Sequence, residues 1–257
     1  MVHRFKELLA SGETLRVFSV GRLNDPVTID LYALGGGFHG FWIDQEHVGM
    51  TFREVKAAAV AGRANGLDCF VRMSPIDYSM VTQNLEAGAG GVMAARVESA
   101  AQTEQFVQWS KFGPRGCRGV NTSGRDAHYT HLTQAEFAER ANREHFVAIQ
   151  IETLGALDEV EEIAANDGVD LLFVGPSDLS QAFGVPGQKN DPRVWAGIQA
   201  VDAACKRHGK AWGTVPGDPE FAKRCRDLGC RMLSIAGDVS TFRLGVAKAK
   251  ELYKDVF

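Results

Sequence analysis

A single-domain α/β fold, the (β/α)8 TIM barrel, is the architecture this sequence predicts over residues 1–257, and three observations predict it. Eight short β-rich runs alternate with stretches of helical periodicity. The 257 residues match the ~250 that such a barrel commonly takes. Glycines punctuate the joints where a helix must stop and the chain return to a strand. In order, the expected strands are Arg16–Val20 (RVFSV), Gly40–Asp44 (GFWID), Cys69–Arg72 (CFVR) and Gly91–Ala95 (GVMAA), then Val147–Glu152 (VAIQIE), Leu171–Gly175 (LLFVG), Ala211–Val215 (AWGTV) and Met232–Ala236 (MLSIA). Between them the apolar period predicts helices over Pro26–Leu34, Thr51–Asn65, Ser79–Ala87, Ser99–Lys111 and Gln134–Asn142, followed by Gly155–Ala165, Arg193–His208 and Pro219–Leu228. The joints read Asn65-Gly66, Ala87-Gly88, Asp167-Gly168, His208-Gly209 and Leu228-Gly229. A doubly wound open sheet would alternate in the same way, but neither Gly21-Arg22 nor Gly35-Gly36-Gly37 supplies the GxGxxG fingerprint that such sheets carry. One stretch, Gly113–Thr133, is too long for a simple joint; loops of that length usually serve as lids or interface arms.

Hydrophobic residues make up 45% of the chain and charged residues 23%, an ordinary balance for a globular protein with a sizeable core. The formal charge of −4 leaves no basic footprint, so nucleic acid is not an expected partner. No apolar run approaches the ~20 residues that span a bilayer, and Met1–Glu7 lacks a signal-peptide core, so a cytoplasmic location without membrane association is expected. The five cysteines, Cys69, Cys117, Cys205, Cys225 and Cys230, form no CxxC pair and are expected to be reduced thiols.

The chemistry gathers at strand ends. Ile149-Gln150-Ile151-Glu152-Thr153 and Leu171-Leu172-Phe173-Val174-Gly175-Pro176-Ser177-Asp178 are apolar runs that each end in a carboxylate, with one helix between them. A βαβ crossover of this length makes the two strands parallel neighbours, so Glu152 and Asp178 project from one sheet edge. Two carboxylates with open coordination positions suit a hard cation, Mg²⁺ or Mn²⁺, since oxygen-only ligation disfavours zinc and copper. The structural alternative is that Glu152 caps a helix and Asp178 N-caps a turn over Leu179–Phe183. The second strand ends Asp44-Gln45-Glu46-His47 and the third ends in Arg72. His47 is the candidate general base. Arg72, a guanidinium at a buried strand end, suits an oxygen that gains negative charge, while Asp44 and Glu46 pair either with Arg72 or with water around a cation. The backbone N–H groups after Gly175-Pro176, at Ser177 and Asp178, suit a carboxylate.

Together, Trp42-Ile43-Asp44-Gln45-Glu46-His47, Val71-Arg72, Pro114-Arg115-Gly116-Cys117-Arg118-Gly119-Val120, Gln150-Ile151-Glu152-Thr153 and Val174–Ser180 make the chain resemble the HpcH/HpaI family of class II, metal-dependent pyruvate aldolases. The resemblance spans nearly the whole length. It implies a (β/α)8 barrel, assembled as a homohexamer with a swapped C-terminal helix, that cleaves a 4-hydroxy-2-oxo acid to pyruvate and an aldehyde. By the same resemblance Glu152 and Asp178 are the metal ligands, Arg72 stabilises the enolate oxygen, and His47 takes part in proton transfer. Gln150, Gly175, Pro176 and Ser177 hold the pyruvyl end, and Val120 and Val215 complete the substrate-binding set. Where the family often has an aspartate that approaches a neighbouring subunit's histidine, this chain has Glu86, the counterpart expected to act with His47 and Asp44. Where many members read Pro-Met after the fourth strand, this chain has Ala95-Arg96, and Arg22 on the first loop is a further specificity candidate. Two other readings use the same rim: an oxaloacetate-type decarboxylase, and a non-catalytic barrel that binds a small acid.

Overall fold

The computed structural model describes residues 5–256. Eight parallel strands, β1 (Leu15–Val20), β2 (Gly40–Asp44), β3 (Asp68–Met73), β4 (Gly91–Ala94), β5 (Phe146–Ile151), β6 (Leu171–Val174), β7 (Ala211–Thr214) and β8 (Met232–Gly237), close into a barrel in sequence order. The closing pair, β8 on β1, slips its register between Val17 and Phe18. Helices α1 (Phe5–Ala10), α2 (Pro26–Gly35), α3 (Phe52–Ala64), α4 (Tyr78–Ala87), α5 (Ala100–Ser110) and α6 (Gln134–Glu144) come from the first half of the chain. The second half supplies α7 (Leu154–Asp158), α8 (Val160–Ala165), α9 (Pro176–Ala182), α10 (Pro192–His208), α11 (Pro219–Leu228) and α12 (Asp238–Leu252).

Alternation along each strand sorts the core into two layers. Leu15, Val17, Trp42, Phe70, Met93, Phe146, Ala148, Leu171, Phe173 and Met232 point inward and fill the barrel. Phe18, Phe41, Ile43, Val71, Val147, Ile149, Leu172 and Val174 point outward, under the helices. The floor is plugged by Phe5 of α1, whose ring meets Phe70 at 5.4 Å and Phe146 at 5.5 Å. Gly40 makes room for it, since a Cβ there would lie 2.5 Å from the Phe5 ring.

Each expected strand forms within a residue or two of its predicted ends. Helix starts follow side-chain caps: Thr51 and Thr133 build capping boxes with Glu54 and Glu136, so α3 begins one residue after the predicted Thr51. The helix expected over Gly155–Ala165 breaks at Glu159. That carboxylate accepts the N–H of Ala100 at 2.7 Å and so serves the N-terminus of α5 instead. Gly66, Gly88, Gly209 and Gly229 take the positive φ expected at the joints, but Gly168 does not. It is small because a Cβ would meet the Val107 side chain at 2.2 Å.

The long segment 113–133 forms turns, without strand or regular helix. It is fastened to the floor and along α4. Buried Arg118 pairs with Asp126 at 2.6 Å over the Phe112 ring, the Gly119 N–H donates to the Tyr78 hydroxyl at 2.5 Å, and Asn121 donates to Glu86 at 2.8 Å. A satellite core of Phe112, Ala127, Phe137 and Ala141 lies beneath it.

Helix α12, absent from the helices read from periodicity but in the place of the C-terminal helix that the resemblance implies, buries only Asp238. Phe242, Leu244 and Leu252 stand 64% to 71% exposed on it. No helix of the described residues is long and apolar enough to cross a membrane.

Candidate active site

The inward set that fills the barrel continues to the carboxyl ends of the strands. Two residues beyond Trp42 comes Asp44, two beyond Phe70 comes Arg72, and two and four beyond Ala148 come Gln150 and Glu152. Gly175 follows Phe173 in the same way, and Val215, half-buried against the inner core, follows β7. Period-two geometry therefore delivers these groups to one mouth.

Arg72 is held on three sides. Its Nη2 and Nε donate to Asp44 at 2.8 and 3.3 Å, its Nη1 lies 3.2 Å from Glu46 Oε2, and its plane covers the Trp42 ring at 4.7 Å. Trp42 is fixed in turn by an N–H bond to Ser234 Oγ across the barrel at 2.9 Å. Asp44 Oδ1 also accepts the backbone N–H groups of Glu46 and His47, at 3.0 and 3.2 Å. Both Asp44 and Glu46 form ion pairs with Arg72. Asp44 is saturated with donors and orders the turn that carries His47. The His47 imidazole is 63% exposed and its Nε2 lies 3.7 Å from Glu46 Oε2.

Glu152 is almost fully buried, at 3% exposure. Its Oε1 accepts the Arg96 backbone N–H at 2.8 Å, and its Oε2 accepts from the Gln150 side-chain amide. Arg96 reaches this position in the left-handed region, at φ 50°. Burial pushes the Glu152 carboxyl up to about 7; the Arg96 N–H opposes this, and the carboxylates of Glu46 and Asp178 add to it. Gly175 is what lets the two strand ends approach, because a Cβ there would lie 2.5 Å from Glu152 Oε2 and 3.0 Å from Gln150 Nε2. Pro176 is buried behind it, and Ser177 and Asp178 are exposed in the first turn of α9.

The capping alternative is excluded for both carboxylates. Thr153, not Glu152, caps α7, accepting from the Ala156 N–H at 3.1 Å. Helix α9 begins at Pro176 with Gly175 as its N-cap, so Asp178 is its third residue and not a cap before Leu179. Among the described residues no set of three or more His, Cys, Asp or Glu side chains is placed to hold an ion.

Two expected site residues lie off this mouth. Glu86 occupies the last turn of α4, where it bonds Asn121 and where burial raises its carboxyl above the ordinary value. The helix runs antiparallel to the strands, so its end faces the barrel floor; within one chain Glu86 is not brought to His47. Val120, 49% exposed, follows Gly119 on the outer layer beside Tyr78. Gln150 stands at the mouth as expected: one amide N–H goes to Glu152, and its Oε1 has no hydrogen-bond partner.

Three contributors escape the sequence reading: the Arg96 backbone N–H, the Trp42 ring beneath Arg72, and Asp238. The Asp238 carboxylate accepts from Gly21, Leu23 and Val239 N–H groups at 2.9, 2.7 and 2.7 Å, tying the first loop to the end of β8. The strand-end rule, extended to β8, would have found it. The lysine with the most perturbed amine lies elsewhere. Burial pushes Lys111 down to about 8, but its Nζ donates to the Asn142 and His145 carbonyls, just before β5 at the floor.

Residues 43–244, a span containing His47, Arg72, Glu152 and Asp178, match the HpcH/HpaI aldolase/citrate lyase family. The chain belongs to this family. Among HpcH/HpaI relatives, a hydroxypyruvate/pyruvate aldolase from Pseudomonas aeruginosa is 32% identical over 240 residues, covering 93% of this chain and 88% of its own. A 5-keto-4-deoxy-D-glucarate aldolase from Klebsiella pneumoniae is 29% identical over 252 residues, covering 98% of this chain and 97% of its own. An HpcH/HpaI aldolase from Desulfitobacterium hafniense superposes with a TM-score of 0.90 at 30% identity, over 98% of this chain and 96% of that one.

Proposed function

We propose that this protein is a carbon–carbon lyase that cleaves a 4-hydroxy-2-oxo acid to pyruvate and an aldehyde with the help of a divalent cation. The observation that carries the reading is the convergence, at one barrel mouth, of the buried Glu152, the neighbouring Asp178 and a guanidinium with donors to spare. Membership in a family whose relatives are named as aldolases supports it. A cation fits the residues present: burial raises the Glu152 carboxyl, the carboxylates of Glu46 and Asp178 add to the rise, and a positive charge beside them would offset it. Mg²⁺ or Mn²⁺ suits an all-oxygen site, and when bound it polarises the 2-oxo carbonyl as a Lewis acid.

The chain's own residues then divide the work. Arg72 has five N–H donors, of which Nε and Nη2 each give one to Asp44. The rest face Glu46 and the mouth, where they would meet the C2 oxygen as it gains charge. Cleavage breaks the C3–C4 bond; its electron pair passes to the pyruvyl fragment as an enolate, and the 4-hydroxyl loses its proton as the aldehyde forms. His47, exposed beside Glu46, would take that proton. Protonation at C3 completes pyruvate. The N–H groups of Ser177 and Asp178, with Gly175 and Pro176 behind them, hold the carboxylate end, and Val215 supplies an apolar wall.

Glu86 and Val120 act, on this reading, from a neighbouring copy in a homohexamer, which the exposed apolar side chains of α12 would help to join. The five free cysteines suit the reducing cytoplasm. The test is a Mn²⁺-supplemented assay of pyruvate with a panel of aldehydes, run beside oxaloacetate decarboxylation and Mn²⁺ titration of Glu152→Gln and Asp178→Asn. Condensation in the parent and weakened Mn²⁺ binding in both variants are expected. Decarboxylation without any condensation would favour the decarboxylase reading, and neither activity would favour a binding protein; undiminished Mn²⁺ affinity in both variants would remove the metal assignment.

A further inference from the structure

The arginines at the mouth are not equivalent. Arg72 is engaged by Asp44 and Glu46, and Arg96, 61% exposed, faces Glu98 at 4.0 Å. Arg22, in the loop between β1 and α2, bonds through Nη2 only to the His47 backbone carbonyl, at 3.1 Å, and no ion pair engages it among the described residues. Arg22 is exposed, and the backbone that carries it is fixed. Asp238, 9% exposed, accepts the N–H groups on both sides of it, at Gly21 and Leu23. Gly21 packs close beneath, since a Cβ there would lie 3.1 Å from Val48.

Arg22, Trp42, Asp44, His47 and Asp238 share a cleft of about 120 Å³. Its two carboxylates are already committed: Asp44 to Arg72 and two backbone N–H groups, Asp238 to three backbone N–H groups. The unspent charge in the cleft is therefore positive. Its position gives the charge a direction. β1, β2 and β8 line the cleft, and in a barrel closed in sequence order they lie across the mouth from β5 and β6, which carry Glu152 and Asp178. A 2-oxo acid anchored at the carboxylate pair would extend past His47 with its far end toward Arg22.

We infer that Arg22 is a specificity-determining residue that selects a substrate whose aldehyde fragment carries a carboxylate, with Asp238 as the residue that positions it. A guanidinium is suited to this because it offers a carboxylate two parallel N–H bonds. The inference rests on the lyase reading above and names the substrate class for the same site.

The test compares condensation of pyruvate with glyoxylate and with glycolaldehyde, partners alike in size but differing in charge, using parent, Arg22→Gln, Arg22→Lys and Arg96→Gln in Mn²⁺. The kcat/KM ratio of glyoxylate to glycolaldehyde is expected to fall at least ~30-fold in Arg22→Gln, as the loss of a charged hydrogen-bond pair implies, and to be partly kept in Arg22→Lys. Binding gives a second readout. 2-Oxoglutarate should bind the parent more tightly than 2-oxopentanoate, and Arg22→Gln should erase that preference. Equal loss toward both aldehydes would show that Arg22 only braces the His47 turn, and a ratio that moves in Arg96→Gln alone would transfer the role; either overturns the inference. Pyruvate methyl-proton exchange in D₂O separates the two levels: a parent that does not exchange refutes the lyase reading itself, and a parent that exchanges while Arg22→Gln keeps its preference refutes only the role of Arg22.

Discussion

Arg72 sits where one side chain must satisfy two carboxylates and still serve a substrate. Its fork does both because the two bonds to Asp44 use one edge, leaving donors on the other. A lysine would place a point charge between Asp44 and Glu46 and lose the planar donors over Trp42. Arg72→Lys is therefore expected to lower kcat about 100-fold, ~3 kcal/mol, with a smaller change in the KM for pyruvate, because the hydrogen bonds it removes form as charge develops on the substrate oxygen. Steady-state kinetics, checked against the melting temperature, read this; near-parent turnover would reduce Arg72 to a structural partner of Asp44 and Glu46. Strand-end position made the place of Arg72 and Glu152 at the mouth legible in the sequence. The saturation of Asp44 was not legible, since it depends on a turn folding back so that two N–H groups meet one oxygen.

At the scale of elements, the joint between β6 and α9 works through an absent side chain. Gly175→Ala would place a methyl 2.5 Å from Glu152 Oε2, and that carboxylate, buried and bonded at both oxygens, has little room to yield. We expect Mn²⁺ affinity to fall at least ~10-fold, about 1.4 kcal/mol, without a change to either carboxylate. Calorimetric titration would show it; unchanged affinity would mean that the turn relaxes. A second element-scale effect concerns the end of α5. Folding lowers the Lys111 amine from 10.5 to about 8 by burial, so the folded state binds its proton more weakly than the unfolded chain does. That cost is complete below pH 8 and fades as pH rises from about 8 to 10.5. The buried thiols of Cys205 and Cys225, pushed up to about 12, act in the opposite sense above their ordinary value of 9.0, so only a difference measurement isolates the lysine. Between pH 8 and 10, the parent should gain about 2 kcal/mol relative to Lys111→Met in urea denaturation. A difference independent of pH would show that the amine keeps its proton.

For the whole molecule, α12 poses a solvation problem. A 15-residue helix that buries one residue leaves Val239, Phe242, Leu244, Val246 and Leu252 to water, apolar area that a neighbouring copy would cover. Light scattering is expected to give a hexamer, and Phe242→Glu with Leu244→Glu to give smaller species. If a neighbouring copy supplies Glu86, dissociation should also lower aldol cleavage, whereas a fully active monomer would sever both expectations.

The sequence by itself determined the barrel and the composition of its mouth. Both are written in short periods: helical and strand repeats that the next few residues reveal, and the two-residue alternation that carries Asp44, Arg72, Gln150 and Glu152 inward. Tertiary structure decided the partners. Asp44 meets Arg72 because β2 lies in register with β3, Asp238 reaches Gly21 and Leu23 because β8 closes on β1, and Glu159 leaves its own helix to cap α5. It also separated Glu86 from His47 within one chain, because α4 ends at the opposite face of the barrel. Such pairings join residues as many as 217 positions apart, and no local period encodes them; closure of the barrel sets them.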